Sequence, residues 1–227
     1  MQQIQLRGRG GGLIKMLSKN TICSILIVVF HLVGLIGFLV PSTASLFLQL
    51  VPFHLLLMFL LMLISQSHKG KNQFYILIVS VFFLGYLVEV AGVHTGKIFG
   101  EYTYGNTLGF KLLEVPLMIG INWAILVYAV GITMEASRLK SPVFKAFAGA
   151  LVLVLLDFLI EPIAVKFDYW GWRDNLIPLQ NYLAWFIVSF GMLSLFNYLK
   201  FHKENRTAII LLGTQFAFFI ALNLCNL

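Results

Sequence analysis

Residues 144–163 read FKAFAGALVLVLLDFLIEPI. From Ala146 to Leu156 no side chain is polar. The run does not alternate as a half-buried strand would. Twenty helical residues at 1.5 Å each reach about 30 Å, the thickness of a bilayer's hydrocarbon core. The stretch therefore predicts a membrane-spanning helix with two acids, Asp157 and Glu161, toward one end. Six further runs of this kind lie at about 21–40, 46–64, 74–93, 115–135, 180–199 and 207–226.

The predicted fold is all-α, a polytopic membrane helical bundle of about seven transmembrane helices. Of the 227 residues, 59% are apolar and 11% charged. Soluble domains carry roughly twice that charge, so a soluble enzyme, a disordered chain and a fibrous repeat are excluded. Residues 21–227 read as a single transmembrane domain. Residues 1–20, basic and Gly-rich, read as a disordered N-terminal tail in which Met16 is a second candidate start. The first apolar run is too long for a cleaved leader and reads as an uncleaved span. Cys23 and Cys225 lie in apolar runs near opposite ends and offer no disulfide framework.

The net charge of +7 is explained by its distribution. The tail and the loops after runs 2, 4 and 6 hold 12 of the 16 Lys and Arg residues; Lys97, Lys111, Lys166 and Arg173 are the others. This bias predicts a cytoplasmic N-terminus and a C-terminus outside, with contact to anionic lipid rather than nucleic acid; the expected location is a prokaryotic inner (cytoplasmic) membrane. The acids run the other way. Glu135 and Glu204 sit on the basic side, whereas Glu89, Glu101, Glu114, Asp157, Glu161, Asp168 and Asp174 fall in the outer loops or outer halves of helices.

A carboxylate within the bilayer costs on the order of 3 kcal/mol, so it faces the bundle interior and marks a candidate site. Asp157 and Glu161 are four residues apart and share one helix face. Glu89 lies near the outer end of run 3. Glu114 precedes Val115-Pro116 and is read as opening run 4 with Pro116 in its first turn. Plainer readings exist for each. Glu114 also suits a helix N-terminus, Glu161 an interfacial position, and Glu89 with Asp157 a polar tie between helices. The aromatic segment 168–173, with Trp170 and Trp172, fits either an interfacial aromatic belt or a lid whose ring faces stabilise a cation. The Gly-rich segment 92–105 reads as a folded loop or partial re-entry, with Tyr102 and Tyr104 as candidates to line the site. Asn122, Trp123, Asn181 and Trp185 are further candidates to line the site. Gln215 and Asn223 suit interhelical hydrogen bonds.

The inventory narrows the chemistry. His31, His54, His68, His94 and His202 are too few and too scattered for a membrane di-iron centre. No Cys cluster, phosphate loop or serine elbow is present. What remains is a group of carboxyls in a greasy, aromatic setting. Two adjacent carboxyls share a proton, and such an acid can protonate an isolated alkene. The tertiary cation then takes water or loses a proton. Composition does not choose among hydration, cyclisation and isomerisation.

Four ordered pieces carry a resemblance over about residues 75–190. They are Glu89-x-x-Gly92-x-x-x-Gly96 with Phe99-Gly100-x-Tyr102-x-Tyr104; Val115-Pro116 with Asn122-Trp123; Asp157-x-x-x-Glu161-Pro162; and Trp170-x-Trp172 with Ile177-Pro178-x-x-Asn181 and Trp185. Together they resemble the integral-membrane carotenoid biosynthesis family that includes carotenoid 1,2-hydratases. Glu161 stands where Asp is expected before Pro162, and Ala184 where Gly is expected before Trp185. The resemblance implies a hydro-lyase that adds water across the terminal C1–C2 double bond of an acyclic (ψ) carotenoid end group, with no redox cofactor and no metal. On that reading Asp157 is the leading general acid. Glu161 and Glu89 share its proton or orient water, and the carotenoid lies along the bilayer. Rival readings are Mg²⁺-dependent prenyl transfer, a non-catalytic carotenoid or lipid carrier, and a proton-coupled transporter. Oligomeric state is not encoded in any of these features.

Overall fold

A computed structural model describes residues 18–67 and 69–225. Among them are seven helices long and apolar enough to cross a membrane. They are α1 (Lys19–Leu39), α2 (Pro41–Ser65), α3 (Lys71–Thr95), α4 (Leu117–Glu135), α5 (Pro142–Lys166), α6 (Leu179–Tyr198) and α7 (Arg206–Leu224). The chain is thus an integral membrane protein built as a polytopic helical bundle. The basic tail lies outside the described residues up to residue 17, and Lys19 and Asn20 belong to or adjoin the first turn of α1.

Local chemistry sets the helix ends. The Ser18 hydroxyl accepts from the Thr21 amide at the start of α1, and the Asn205 side chain accepts from Thr207 and Ala208 at the start of α7. Pro41 and Pro142 occupy the first turns of α2 and α5, where their missing N–H costs nothing. Gly96 ends α3 with φ +64° and donates to the Gly92 carbonyl at 2.8 Å.

α4 is the hub. It packs against α2, α3, α5, α6 and α7, and Val127, Tyr128, Ala129 and Val130 are all inaccessible. A helix apolar all round belongs in the interior. The outer helices instead turn large apolar side chains outward, Phe53, Phe158 and Ile187 among them, as lipid-facing helices do.

Two connections fold over the end of the bundle opposite the basic loops. β1 (Tyr102–Tyr104) pairs antiparallel with β4 (Trp170–Trp172), aligning Tyr102 with Trp172 and Tyr104 with Trp170. The Gly105 amide donates to Tyr169 O, the Arg173 amide to Glu101 O, and the Thr107 hydroxyl to Phe167 O. β2 (Lys111–Leu112) and β3 (Val115–Pro116) form a tight hairpin just before α4. At the opposite end, a buried network of Ser65, Gln66, Tyr128 and Asn205 ties the loops after α2 and α6 together.

Candidate active site

Strand geometry does most of the assembly. Side chains two residues apart on a strand share a face, so Tyr102 and Tyr104 point the same way. Trp170 and Trp172, paired with them, point that way too. Beneath this layer lie the acids of α3 and α5 and the first turn of α6.

Glu89, 4% exposed, accepts three hydrogen bonds. The Tyr102 and Tyr104 hydroxyls donate to Oε2 at 2.5 and 2.8 Å, and Trp123 Nε1 donates to Oε1 at 3.1 Å. Glu161, 1% exposed, also accepts three. Trp170 Nε1 and Trp172 Nε1 donate to Oε2 at 3.1 and 2.7 Å, and Asn181 Nδ2 donates to Oε1 at 3.1 Å. The same Asn181 nitrogen donates to Asp157 Oδ2 at 2.8 Å. Asp157 Oδ1 is buried with no partner. All the donors are neutral. Both glutamates are therefore fixed in place through both oxygens, whereas Asp157 is held through Oδ2 alone. Burial, and after it the Glu89 charge, pushes the Tyr102 and Tyr104 hydroxyls above the ordinary phenol value. They stay protonated and keep donating. Among the described residues no group of three His, Cys, Asp or Glu is placed to hold a metal ion.

Packing fixes the donors. The Trp123 and Trp185 rings stack, with centroids 4.3 Å apart. Gly85, one turn below Glu89, leaves room for Trp123: a Cβ there would lie 2.5 Å from Trp123 Cγ. Asn181 reaches the acids because α6 starts at Leu179 against α5.

Two cavities meet at this cluster. A small one of about 30 Å³ is walled by Glu89, Glu161, Tyr102, Tyr104, Trp172 and Asn181, among others. That is room for one or two waters. A larger apolar one of about 320 Å³ runs between α1, α2 and α7, walled by residues such as Phe38, Phe47 and Phe218. Its wall includes the outward-exposed Phe30, Val33, Leu50 and Phe53, so it opens toward lipid. Ile119, Asn122 and Trp170 line both cavities and form their junction.

Eleven of the twelve expected residues thus gather in one region, and one does not. Glu114 is corrected: it sits in the two-residue turn between β2 and β3, where Leu113 and Glu114 both have positive φ, as a tight hairpin demands. Its side chain is 74% exposed and faces His94, at 3.5 Å. α4 begins only at Leu117, with Pro116 as its N-cap rather than in its first turn. Asp157 is buried beside Asn181 and does not line the small cavity, whereas Glu161 and Glu89 do. Trp170 and Trp172 turn their indole N–H groups to Glu161. Asn223 does bond across helices, to Leu159 O at 2.8 Å. Gln215 does not: its Oε1 is buried without a partner, and it lines the apolar cavity. That cavity's wall was invisible in the sequence, because a Phe facing a cavity and a Phe facing lipid look alike, and runs 1, 2 and 7 hold no more Phe than runs 3, 5 and 6.

A family described as "Carotenoid biosynthesis protein" matches residues 48–226. The bisanhydrobacterioruberin hydratase of Haloarcula japonica is 28% identical over 128 residues, 53% of this chain and 44% of the relative. The match thus spans less than half of that protein's length. No solved structure matches the chain.

Proposed function

We propose that this chain, which belongs to the carotenoid biosynthesis protein family, adds water across the terminal C1–C2 double bond of an acyclic carotenoid end group. The observation that carries this reading is the meeting of the two cavities. An apolar chamber open to lipid ends at Ile119, Asn122 and Trp170, and beyond that junction lies a water-sized space between two buried carboxyls. A polyene fits the first, and one water fits the second. The similarity to a relative named as a hydratase supports the same choice.

The donor arrangement suggests the roles. Asp157 and Glu161, bridged by Asn181, act as a pair that holds one proton. Glu161 is the member on the cavity wall and passes the proton to the less substituted alkene carbon. Positive charge then falls on the tertiary carbon at the junction, near the face of Trp170 and the Trp123–Trp185 stack. Water beside Glu89 attacks that carbon, and Glu89 takes its proton. The π bond breaks, one C–H and one C–O bond form, and the proton taken up from the pair is matched by one released to Glu89. No electron enters or leaves, so the chemistry calls for no redox cofactor.

The test is pigment analysis of a host making an acyclic carotene, with and without the protein. The expected product is heavier by one water per reacted end. Recovery of bound pigment with unchanged mass and spectrum would overturn hydration in favour of a carrier. Turnover that strictly requires Mg²⁺ and a diphosphate would overturn it in favour of prenyl transfer.

A further inference from the structure

We propose that the water consumed by this site enters from the side opposite the polyene, through an outer basin separated from the acids by the rings of Tyr102 and Trp172. The proposal rests on the hydration reading above. The basin measures about 610 Å³. His94, Glu101, Thr103 and Arg173 line it, and their exposure and charge make it wet. Its other walls include Tyr102 and Trp172, each 7% exposed. The same two residues line the small cavity that contains Glu89 and Glu161.

Tyr102 and Trp172 thus line both spaces and form the partition between them. Its two rings are 5.1 Å apart and paired across β1 and β4. Each ring also holds an acid: the Tyr102 hydroxyl donates to Glu89 and the Trp172 indole to Glu161. A swing of either ring opens the partition and, in the same motion, frees a carboxyl oxygen to take a water. Strands of three residues are short enough for such local opening.

The opposite route is a poor source. The large cavity is walled mostly by aromatic and aliphatic side chains, with His31, His54, Asn122 and Gln215 as its polar members, and opens to lipid rather than to water. Each turnover consumes one water, so the wet basin is the supply. Substrate and water approach from opposite sides and meet at the carboxyls.

Gly171 provides the test. It lines the basin, and a side chain placed there would meet nothing within 4 Å. Gly171→Cys is made in a Cys225→Ser background, because Cys225 is exposed whereas Cys23 is buried. Thr103→Cys, directly across the strand pair, is the second variant. The full-length protein in lipid nanodiscs is labelled with a bulky, sulfonated thiosulfonate reagent. Two rates are read: formation of the hydrated product, and hydrogen–deuterium exchange of the buried carboxylic-acid infrared band, assigned by its loss in Asp157→Asn. Labelling is expected to slow both at least tenfold, to leave the absorbance of bound polyene unchanged, and to be reversed by reductant. A labelled protein that exchanges at the unlabelled rate overturns the basin route, whatever it does to the polyene. If the unlabelled protein makes no hydrated product while the label still slows exchange, the hydration reading falls and the basin stands as the way from water to the acids.

Discussion

The three buried carboxyls differ in what touches them, and this separates their expected mutants. Glu161 lines the small cavity and is held by Trp170, Trp172 and Asn181. Glu161→Gln keeps the shape and removes the transferable proton, so turnover should fall at least about 100-fold, the lower range for general acid catalysis. Glu114→Gln, on the exposed turn, should stay within about twofold of wild type. Equal losses in both variants, measured as hydrated pigment per unit of folded protein, would contradict the assignment. A second expectation concerns pH. The Tyr102 and Tyr104 hydroxyls are raised by burial and by Glu89. In the unfolded chain they ionise near pH 10, while in the fold burial and Glu89 keep them protonated to higher pH. The unfolded state thus releases protons first as pH rises. The stabilisation is complete below about pH 10 and is lost above it, at up to about 1.4 kcal/mol per pH unit per tyrosine. Thermal unfolding followed by circular dichroism between pH 8 and 11 should show this slope, and Tyr104→Phe should flatten it. An unchanged slope would show that Tyr104 ionises alike in both states.

At the scale of helices and strands, the sequence was most informative where a pattern runs long. Seven apolar runs became seven helices, with ends shifted by two to five residues where Ser18 and Gly96 act as caps and Pro41 and Pro142 open first turns. The i, i+4 relation placed Asp157 and Glu161 on one face correctly, and both are buried. The strand pair β1–β4 was not legible. Three residues are too few for a period to show, and the pairing joins segments nearly seventy residues apart. The same limit misplaced Glu114, because positive φ at Leu113 and Glu114 is a property of a turn, not of composition. Depth was legible only roughly: Asp157 is within the bundle as expected, yet Asn181 and Glu161, not Asp157, face the cavity. The packing of α3 on α4 carries its own prediction. Gly85 leaves the space that Trp123 fills, and Trp123 both bonds Glu89 and stacks on Trp185. Gly85→Val should overpack this contact, at about 1–3 kcal/mol, and turn the indole away from Glu89. A lower unfolding temperature and at least a tenfold loss of turnover are expected, with Trp fluorescence shifted. A variant with wild-type fluorescence and activity would show that the indole does not need this space.

Across the whole molecule, the buried acids Glu89, Asp157 and Glu161 lie at one end only of a bundle about as thick as the bilayer. Among the described residues, the opposite end holds the Ser65, Gln66, Tyr128 and Asn205 network and no buried carboxyl. The apolar cavity opens sideways between α1 and α2, so under the proposed hydration a polyene enters from the membrane with its far part left in lipid. An extended acyclic carotenoid is about as long as the hydrocarbon core is thick. Its second end then lies near the far surface, where no acid waits for it. A substrate with two reactive ends must leave, reverse its orientation and bind again before the second hydration. The singly hydrated pigment is therefore expected to build up first and decline later, with the doubly hydrated one appearing after a lag. A single-turnover time course with protein in excess, followed by mass analysis of the extracted pigment, distinguishes the cases. Doubly hydrated product formed from the first moment, with no singly hydrated species, would require a second acid site within reach of the far end and would contradict this arrangement.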